Sequence, residues 1–549
     1  MQHRAVKRRT VVMGIGATAG VVAAGGIAVN AQASAAGKGD STAPSAALVF
    51  DPDDYTELTE TIKDAAGTDH VVTYHFFKPR NYVTAPSDDT HQSLVVSVPV
   101  TIDGKAVDAS RAPVVLANAV GAYMPSSVAT ATGVGQAALE MGSMGGGTGG
   151  APSGAPGGTP SGMPSGMPSG GPGGGGTGGV NGMVNLARLA LVAGYVAVEP
   201  GTRGRSLTAS DGTVYGTAPA VIVDLKAAVR YVRFNKGRIP GDTDRIVSTG
   251  TSAGGATSAL LGASGDSPIY DTYLKKAGAA PASDAVFATG AWCPITDLEH
   301  ADGAYEWNWG ALVAQSTGKV VDQTVSKALQ AQFAEYQASL KLRGLNGYGA
   351  LTARNYDDYL LTTYIRPSAT KYLAALPDSE RTAYLAENPF ITWSRSKATF
   401  TWADYVTHIG TRKKTTPAFD AFDLSAGENN EFGEGTVESR HFTAYSLRND
   451  TTGLTGKRLD SDIPEKLDLM NPMYHLVKKR NPNRSKHWWI RLGTGDTDTS
   501  HVISANLAAA LDNLGDDVNH SFYWDQGHAT NADPGDFIAW IAKVTGSRR

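Results

Sequence analysis

Residues 245–255 read RIVSTGTSAGG, and this stretch decides the fold. Its first half, 245–250, is a short run with β-branched residues that predicts a buried strand, and the apolar pattern over 253–261 predicts a helix. Ser252 lies between them at the centre of a G-x-S-x-G pattern, where small neighbours let the chain turn sharply and expose the serine. The G-x-S-x-G spacing alone is weak evidence for a nucleophile, because a chain with 64 glycines can contain it by chance. Its place between a strand and a helix predicts a nucleophilic serine rather than an ordinary serine in a glycine-rich turn.

The same alternation of strand and helix continues on both sides of this stretch. Short apolar runs predict strands, and apolar residues at intervals of three and four predict helices. The expected strands lie at 113–117, 194–198, 486–492 and 520–524, and the expected helices at 185–191, 218–234 and 500–514. Such a succession is typical of a mostly parallel sheet covered by helices, so the sequence predicts an α/β fold.

A nucleophilic serine needs a histidine base and a carboxylate that orients the base. In α/β-hydrolases the carboxylate and then the histidine follow the serine in the chain, each just beyond a late strand. Asp496 and His528 both stand directly after a predicted strand. The predicted triad is therefore Ser252, Asp496 and His528, with Asp498 as the alternative carboxylate. His501 would begin the last predicted helix and is expected at the surface.

The oxyanion that forms when an ester is attacked needs two backbone N–H donors. Ala253, directly after the serine, offers one of them. The second is expected from the loop after the strand at 113–117, which reads NAVGAY over 118–123. Gly121 is the position in this loop whose backbone can approach a ligand most closely, so Ala253 and Gly121 are the predicted donors.

Taken together, these residues resemble the bacterial subtype B tannases, which are gallate-ester hydrolases of the α/β-hydrolase fold. The resemblance extends over about residues 45–549, apart from a glycine-rich insert, and rests on four motifs. They are NAVGAYMP at 118–125, GTRGR at 201–205, GTSAGG at 250–255 and GTGDTD at 493–498. The resemblance implies the same triad that the residues predict by themselves. It also implies a large substrate-covering lid at 294–472, inserted between two parts of an α/β-hydrolase core at 36–293 and 473–549.

The resemblance further implies how a substrate ring is held. In the family, a lysine and a glutamate of the lid join the aspartate two places after the triad aspartate to bind the three hydroxyl groups of a galloyl ring. Lys414, Glu428 and Asp498 stand at the matching positions, with Lys413 and Glu431 as close competitors. Charged side chains suit a row of phenolic hydroxyls because charge-assisted hydrogen bonds are strong. Without the resemblance, such residues would be interpreted as solvated surface charges.

Two stretches are expected to lie outside the hydrolase core. Residues 1–35 combine paired arginines, a Gly/Ala-rich apolar run and a small-residue cleavage pattern, which predict an export leader. The arginine pair and the Gly/Ala-rich run favour the twin-Arg route, and a membrane anchor is the alternative interpretation. Residues 141–183 are rich in Gly, Pro and Ser, with 20 glycines between Gly142 and Gly182, and predict a flexible surface insert. The protein is therefore expected to be secreted.

Composition and two single positions exclude several other classes of protein. A net charge of −4 gives no basic surface and so disfavours a nucleic-acid partner, and 41% hydrophobic with 18% charged residues excludes a disordered chain. The single cysteine, Cys293, excludes an intramolecular disulfide and a zinc site built on cysteines. Thr251 and Ala529 stand where fungal-type tannases and their relatives carry cysteines, which excludes that branch.

The predicted function is that of a secreted serine esterase acting on the galloyl esters of tannins and simple gallates through an acyl-enzyme. No metal or organic cofactor is expected. The expected partner is a small phenolic ester or a tannin, without nucleic acid and without stable membrane association once the leader is cleaved. A carboxylesterase of broader aryl or feruloyl specificity and a non-catalytic phenolic-binding protein are the alternatives, and an intact triad argues against the second.

Overall fold

The computed structural model describes residues 46–78, 81–140 and 183–547. The predicted leader at 1–35 and residues 141–182 of the predicted insert lie outside these described residues. Across the described part, none of the helices has the length and apolar character needed to span a bilayer.

A ten-stranded sheet forms the centre of the fold. Its strands are β1 (Thr56–Lys63), β2 (Asp69–Phe77), β3 (Leu94–Ile102), β4 (Lys105–Ala106), β5 (Pro113–Ala117), β6 (Val196–Pro200), β7 (Asp242–Thr251), β8 (Ala288–Trp292), β9 (His487–Gly493) and β10 (Asp517–Tyr523). Their order is β1-β2-β3-β6-β5-β7-β8-β9-β10, and β4 pairs with β3 outside this path. Pairing is antiparallel from β1 to β6 and parallel from β6 to β10. The predicted α/β fold with a mostly parallel sheet is confirmed.

Helices cover both faces of this sheet, so β5, β6 and β8 are buried along their whole length. The helices are α1 (Leu186–Val192), α2 (Ala220–Phe234), α3 (Ala253–Ala263), α4 (Asp271–Ala277), α5 (Leu298–Trp309), α6 (Gln323–Leu340), α7 (Tyr356–Leu360), α8 (Arg366–Ala375), α9 (Asp378–Glu387), α10 (Trp402–Ile409), α11 (Gly427–Glu431), α12 (Ala444–Arg448), α13 (Ile463–Met470), α14 (His501–Asn513) and α15 (Pro534–Thr545). Val114 and Leu116 of β5 pack in one apolar cluster with α2, α3 and α14. Val115 and Ala117 pack in the other with α1 and α15. The alternation follows from the two-residue period of a strand.

The segment between β8 and β9 contains α5 to α13. It also holds π-helical turns at Leu361–Ile365 and, after α13, at Tyr474–Lys478, together with short paired strands such as Thr392–Ser394 with Lys397–Thr399. The resemblance assigns most of this segment to a lid. Its aromatic residues Tyr305, Trp309 and Tyr356 are buried in the same apolar cluster as α2, α3 and α14. The segment therefore shares the core of the sheet instead of forming a separate one.

His501, at the start of α14, is fully buried and not at the surface. Its ring packs edge-on against Trp309, with ring centroids 4.9 Å apart, and its Nε2 donates to the Gly493 carbonyl at 3.2 Å. Burial lowers the pKa of His501 to about 4, so the imidazole is neutral at pH 7. The expectation of an exposed histidine is wrong because α5 covers this end of α14.

Candidate active site

Ser252 joins β7 to α3 in a strained turn. Its φ of 62° with ψ of −123° is a conformation that costs a residue other than glycine about 1–3 kcal/mol. The glycines on either side allow the chain to pass through it. A β-carbon at Gly250 would lie 2.5 Å from the Gly254 carbonyl oxygen, and one at Gly254 would lie 2.6 Å from the Asn118 side chain. The turn places the Ser252 side chain, half-buried, at the carboxyl edge of the sheet.

The three predicted triad residues come together at this edge. The Ser252 Oγ lies 2.8 Å from Nε2 of His528, and Nδ1 of His528 lies 2.8 Å from Oδ2 of Asp496. A carboxylate only accepts hydrogen bonds, so Nδ1 carries the imidazole proton and leaves Nε2 to accept from the serine hydroxyl. Asp498, the alternative carboxylate, instead donates its backbone N–H to Oδ1 of Asp496 at 2.9 Å. The arrangement has the geometry of a nucleophile, a base and an orienting carboxylate.

The electrostatics of His528 fit the role of a base. Burial acts to lower the pKa of the imidazole, but the Asp496 carboxylate and the Cys293 side chain beside it outweigh burial and hold that pKa well above its ordinary value. Asp496 is fully buried, so its charge is little screened by water. The same carboxylate would therefore stabilise the imidazolium that forms when His528 takes a proton from Ser252.

The predicted oxyanion loop packs directly against the serine turn. Ala253 is the first residue of α3, so its N–H has no acceptor within the helix and remains available to a ligand. Asn118 links the loop to the turn, because its Nδ2 donates to the Gly254 carbonyl at 3.2 Å and its Oδ1 accepts from Val120 N–H at 3.3 Å. Gly121 follows, half-buried, beside Leu139. The roles of Ala253 and Gly121 as oxyanion donors stay predictions.

The charged residues expected to bind a substrate ring form two ion pairs. The Lys414 ammonium lies 3.3 Å from Oε1 of Glu428, and the Lys413 ammonium lies 2.7 Å from Oδ1 of Asp498. Tyr305 joins the two pairs, since its hydroxyl accepts from the Lys414 backbone N–H at 3.1 Å and donates to the carbonyl directly before Asp498 at 2.6 Å. Lys414, Glu428 and Asp498 are thus held in one region, and Lys413 is a fourth member.

Glu431, the competitor of Glu428, does not belong to this row. It is fully buried, and neither of its carboxyl oxygens has a hydrogen-bond partner among the described residues. Burial raises the pKa of Glu431 well above its ordinary value, which favours the uncharged form of this carboxyl group. Glu428, by contrast, has a side chain 17% exposed and is paired with Lys414. Of the two carboxyl groups, only Glu428 is partly exposed and paired with a lysine of the expected set.

Comparison with solved structures points to one family of ester hydrolases. A BD-FAE family model matches residues 190–339, and no protein with a curated description matches the chain. A solved tannin acyl hydrolase in complex with 3,4-dihydroxybenzoate is 32% identical, with a TM-score of 0.73 over 91% of this chain and 99% of its own. The tannase from Fusobacterium nucleatum is 33% identical, with a TM-score of 0.71 and the same coverage. The native tannin acyl hydrolase from Lactobacillus plantarum is 31% identical, also with a TM-score of 0.71 and this coverage. The chain belongs to the tannin acyl hydrolases.

Membership of the tannin acyl hydrolases makes the protein a carboxylic ester hydrolase of the α/β-hydrolase fold, as its motifs predicted. Arg205 is a residue of this tannin acyl hydrolase that the sequence showed only as part of a motif. Its Nε donates to the Ala122 carbonyl at 2.7 Å, and its Nη1 donates to the Gly427 carbonyl at 3.0 Å. One side chain thus ties the predicted oxyanion loop to helix α11, which carries Glu428. The motif GTRGR was the only signal, because both partners are remote in sequence.

A second arginine of the tannin acyl hydrolase fixes the backbone of Lys414. Arg412 is fully buried in a bidentate ion pair with Glu306, at 2.5 and 2.7 Å. Its Nε donates to the Lys414 carbonyl at 2.8 Å, and one of its terminal nitrogens donates to the Thr415 carbonyl at 2.8 Å. No local pattern in the sequence indicates this contact, because Glu306 lies more than a hundred residues away in the chain.

Proposed function

We propose that the protein hydrolyses galloyl esters through a covalent acyl-enzyme on Ser252. The two 2.8 Å hydrogen bonds that link Ser252, His528 and Asp496 are the observation that carries this proposal. They support a serine that is activated for attack by a base whose tautomer is already set. The charged row of Lys414, Glu428 and Asp498 supports a substrate whose acyl ring bears hydroxyl groups.

In the proposed reaction, Ser252 Oγ attacks the ester carbonyl carbon while Nε2 of His528 accepts the hydroxyl proton. The tetrahedral oxyanion receives hydrogen bonds from the backbone N–H of Ala253 and from the loop at Gly121. When the carbon–oxygen bond to the alcohol breaks, His528 returns the proton to the leaving oxygen. A water molecule then attacks the acyl-serine, with its proton passing to His528, and the carboxylic acid is released as Ser252 regains its hydrogen.

Recognition of the ring is proposed to rest on charge-assisted hydrogen bonds. Glu428 and Asp498 can accept from phenolic hydroxyls, and the Lys414 ammonium can donate to a phenolic oxygen. An ester without hydroxyls would leave these partly buried charges without a ligand. Each missing bond costs about 1.5–3 kcal/mol, so we expect methyl gallate to exceed methyl benzoate in kcat/KM by at least about 100-fold.

The decisive experiment compares these two esters on the full-length protein and on Ser252→Ala. The wild type should prefer methyl gallate, and Ser252→Ala should have no turnover while Ser339→Ala, a change at an exposed serine of α6, keeps it. Acid-quenched wild type should carry a mass increase equal to one galloyl group, and Ser252→Ala should not. Equal rates on the two esters would remove the galloyl specificity, and turnover by Ser252→Ala would remove the nucleophile.

An esterase of broader aryl or feruloyl specificity is the second candidate, and the Lys413–Asp498 ion pair favours it. Lys413 already occupies both carboxylate oxygens of Asp498, at 2.7 and 2.9 Å, so a ring hydroxyl must share or displace the ammonium. If this pair persists with substrate, methyl ferulate should be hydrolysed at a rate close to that of methyl gallate. Methyl ferulate therefore belongs in the same assay as the other two esters.

We also propose that the protein is exported through its leader at 1–35. The support comes from the sequence, where the arginines Arg8 and Arg9 precede a Gly/Ala-rich apolar run. Expression of the full chain in an export-competent bacterium should place the esterase outside the cytoplasm. The double variant with Arg8→Lys and Arg9→Lys should stay in the cytoplasm. Equal export of this variant and of the wild type would contradict the twin-Arg route.

A further inference from the structure

The only cysteine of the chain lies beside the triad. Cys293 directly follows β8, with a φ of 38°, and its side chain is almost fully buried. Its backbone N–H donates to the Arg491 carbonyl of the neighbouring strand β9 at 2.7 Å. One potential ligand atom each of Cys293, Asp496 and His528 lies within 4.8 Å of the other two. The proposed ester hydrolysis uses the aspartate and the histidine but gives the thiol no part.

A thiolate, an imidazole and a carboxylate are the three ligand types that bind Zn²⁺ in proteins, and thiolate also binds softer cations strongly. Zinc bonds of 2.0–2.3 Å to four tetrahedral ligands place neighbouring ligand atoms roughly 3.3–3.8 Å apart. The ligand atoms of the three side chains would therefore need to approach one another by at most about 1.5 Å. Ca²⁺ and Mg²⁺ are disfavoured, since these hard cations take oxygen ligands.

We propose that Cys293, His528 and Asp496 form an inhibitory site for thiophilic divalent cations such as Cd²⁺ and Zn²⁺. The cation binds the Cys293 Sγ after the thiol proton has left to solvent, a lone pair of one His528 ring nitrogen, and an Asp496 oxygen. If the cation takes Nε2, it displaces the Ser252 hydroxyl directly. If it takes Nδ1, the imidazole proton moves to Nε2, which can then no longer accept from Ser252. In both cases the base is lost, so hydrolysis stops.

Other histidines among the described residues meet two carboxylates, and these groups offer a control. His70 lies 2.7 Å from an Asp103 oxygen and 3.3 Å from an Asp64 oxygen, on the antiparallel part of the sheet. This group has no sulfur ligand, so its affinity for Cd²⁺ should be much lower than that of a site with a thiolate. Its two carboxylates face different ring nitrogens, Asp103 at Nδ1 and Asp64 at Nε2. His70→Asn therefore removes a histidine–carboxylate contact that lacks a thiol, without touching the triad.

The test titrates the full-length protein with CdCl₂ and follows two readouts. Cadmium thiolate gives an ultraviolet charge-transfer band, which reports only on Cys293 because no other cysteine exists. Ester hydrolysis is measured in parallel, as a fraction of each variant's own rate without metal. We expect the band and the loss of rate to saturate together at one cation per chain, and a chelator to reverse both. The band does not depend on turnover, so it tests the site even if the proposed ester specificity fails.

Variants assign the ligands. Cys293→Ala should lose the band and need at least about 10-fold more Cd²⁺ for the same fractional inhibition. Loss of a residue that only hydrogen-bonds to a metal ligand already lowers metal affinity by about 10–100-fold, so loss of a ligand itself should have at least this effect. His528→Ala, which has no turnover, should weaken the band by a comparable factor, and His70→Asn should match the wild type in both readouts. Equal inhibition of Cys293→Ala and wild type, a band that forms without loss of activity, or an unchanged cadmium affinity in His528→Ala would each overturn the proposal.

Discussion

Arg205 allows a direct test of how the two halves of the site are held together. Its guanidinium donates to the Ala122 carbonyl at 2.7 Å and to the Gly427 carbonyl at 3.0 Å. Ala122 belongs to the predicted oxyanion loop, and Gly427 begins helix α11 directly before Glu428. Arg205 is therefore a positioning residue between the loop that is proposed to face the ester and the helix that is proposed to face the ring.

The size of its contribution can be worked out from these contacts. Arg205→Lys keeps the charge but leaves one ammonium, which can reach only one of the two carbonyls. A hydrogen bond from a charged donor contributes about 1.5–3 kcal/mol. If the bond to the more exposed Ala122 carbonyl is lost, a water molecule can replace the donor and offset part of that free energy. We expect a net loss of about 2 kcal/mol in transition-state stabilisation. That loss corresponds to a ~30-fold fall in kcat/KM for methyl gallate.

Steady-state kinetics on two esters separate the two contacts of Arg205. A loosened oxyanion loop should lower kcat for both methyl gallate and p-nitrophenyl acetate, and a displaced Glu428 should raise KM for methyl gallate alone. Arg188→Lys is the matched control, since Arg188 is a partly buried arginine bound to Glu60 of β1, an edge strand that does not pair with β7, β9 or β10. It should lower Tm without changing either parameter. Unchanged kinetics in Arg205→Lys, or the same change in Arg188→Lys, would refute the positioning role.

Three further predictions concern the site and its surroundings. Asp496→Asn should lower kcat about 10⁴-fold with little change in Tm, because the imidazole loses the partner that sets its tautomer; a smaller effect in a rate assay would count against the triad. Burial raises the pKa of Glu199 to about 7, so its contribution to stability is complete below about pH 4.5, the ordinary pKa, and is lost as pH rises through about 7. Glu199→Gln should therefore remove up to about 3 kcal/mol of the pH dependence of unfolding between these values, measured by denaturant titration. Gly254→Ala should abolish activity because its β-carbon would meet Asn118 at 2.6 Å and a backbone oxygen at 2.7 Å. Gly121→Ala should be tolerated because its β-carbon would meet only the flexible end of Leu139. Equal esterase activities of the two variants would contradict this prediction.

Local patterns predicted every strand of the parallel part of the sheet except β8, and they predicted none of β1 to β4. The strand expected at 113–117 is β5 as found, and the one expected at 486–492 is β9 displaced by one residue. Both strands are buried on two faces, so a continuous apolar run marks them. By contrast β1 reads TELTETIK and has only one fully buried residue, so its alternation of side chains carries little apolar signal. β10 begins three residues before the expected 520 because its first residues are polar and partly exposed at the sheet edge.

The site divides in the same way into predictable and unpredictable parts. Ser252, Asp496 and His528 each stand after a strand, and parallel strands bring their carboxyl ends to one edge, so chain order was enough to bring them together. Arg205 and Cys293 were not assigned a role because their contacts cross between distant segments. Arg205 reaches partners 83 and 222 residues away, and no periodic pattern encodes such a distance. Such contacts follow from the assembled core, which local propensity does not describe.

The backbone around the site explains why these distant contacts matter. Ser252, Cys293 and Ala529 all have φ between 38° and 66°, and so do the adjacent residues Ala122 and Tyr123 of the predicted oxyanion loop. Each left-handed residue other than glycine costs about 1–3 kcal/mol and persists only where its surroundings hold it. The loop is held by the Arg205 guanidinium at Ala122 and by the Tyr123 hydroxyl, which donates to the Ile295 carbonyl at 3.0 Å. Removing one such contact lets the loop relax while the buried sheet keeps its packing, so activity should fall before stability does.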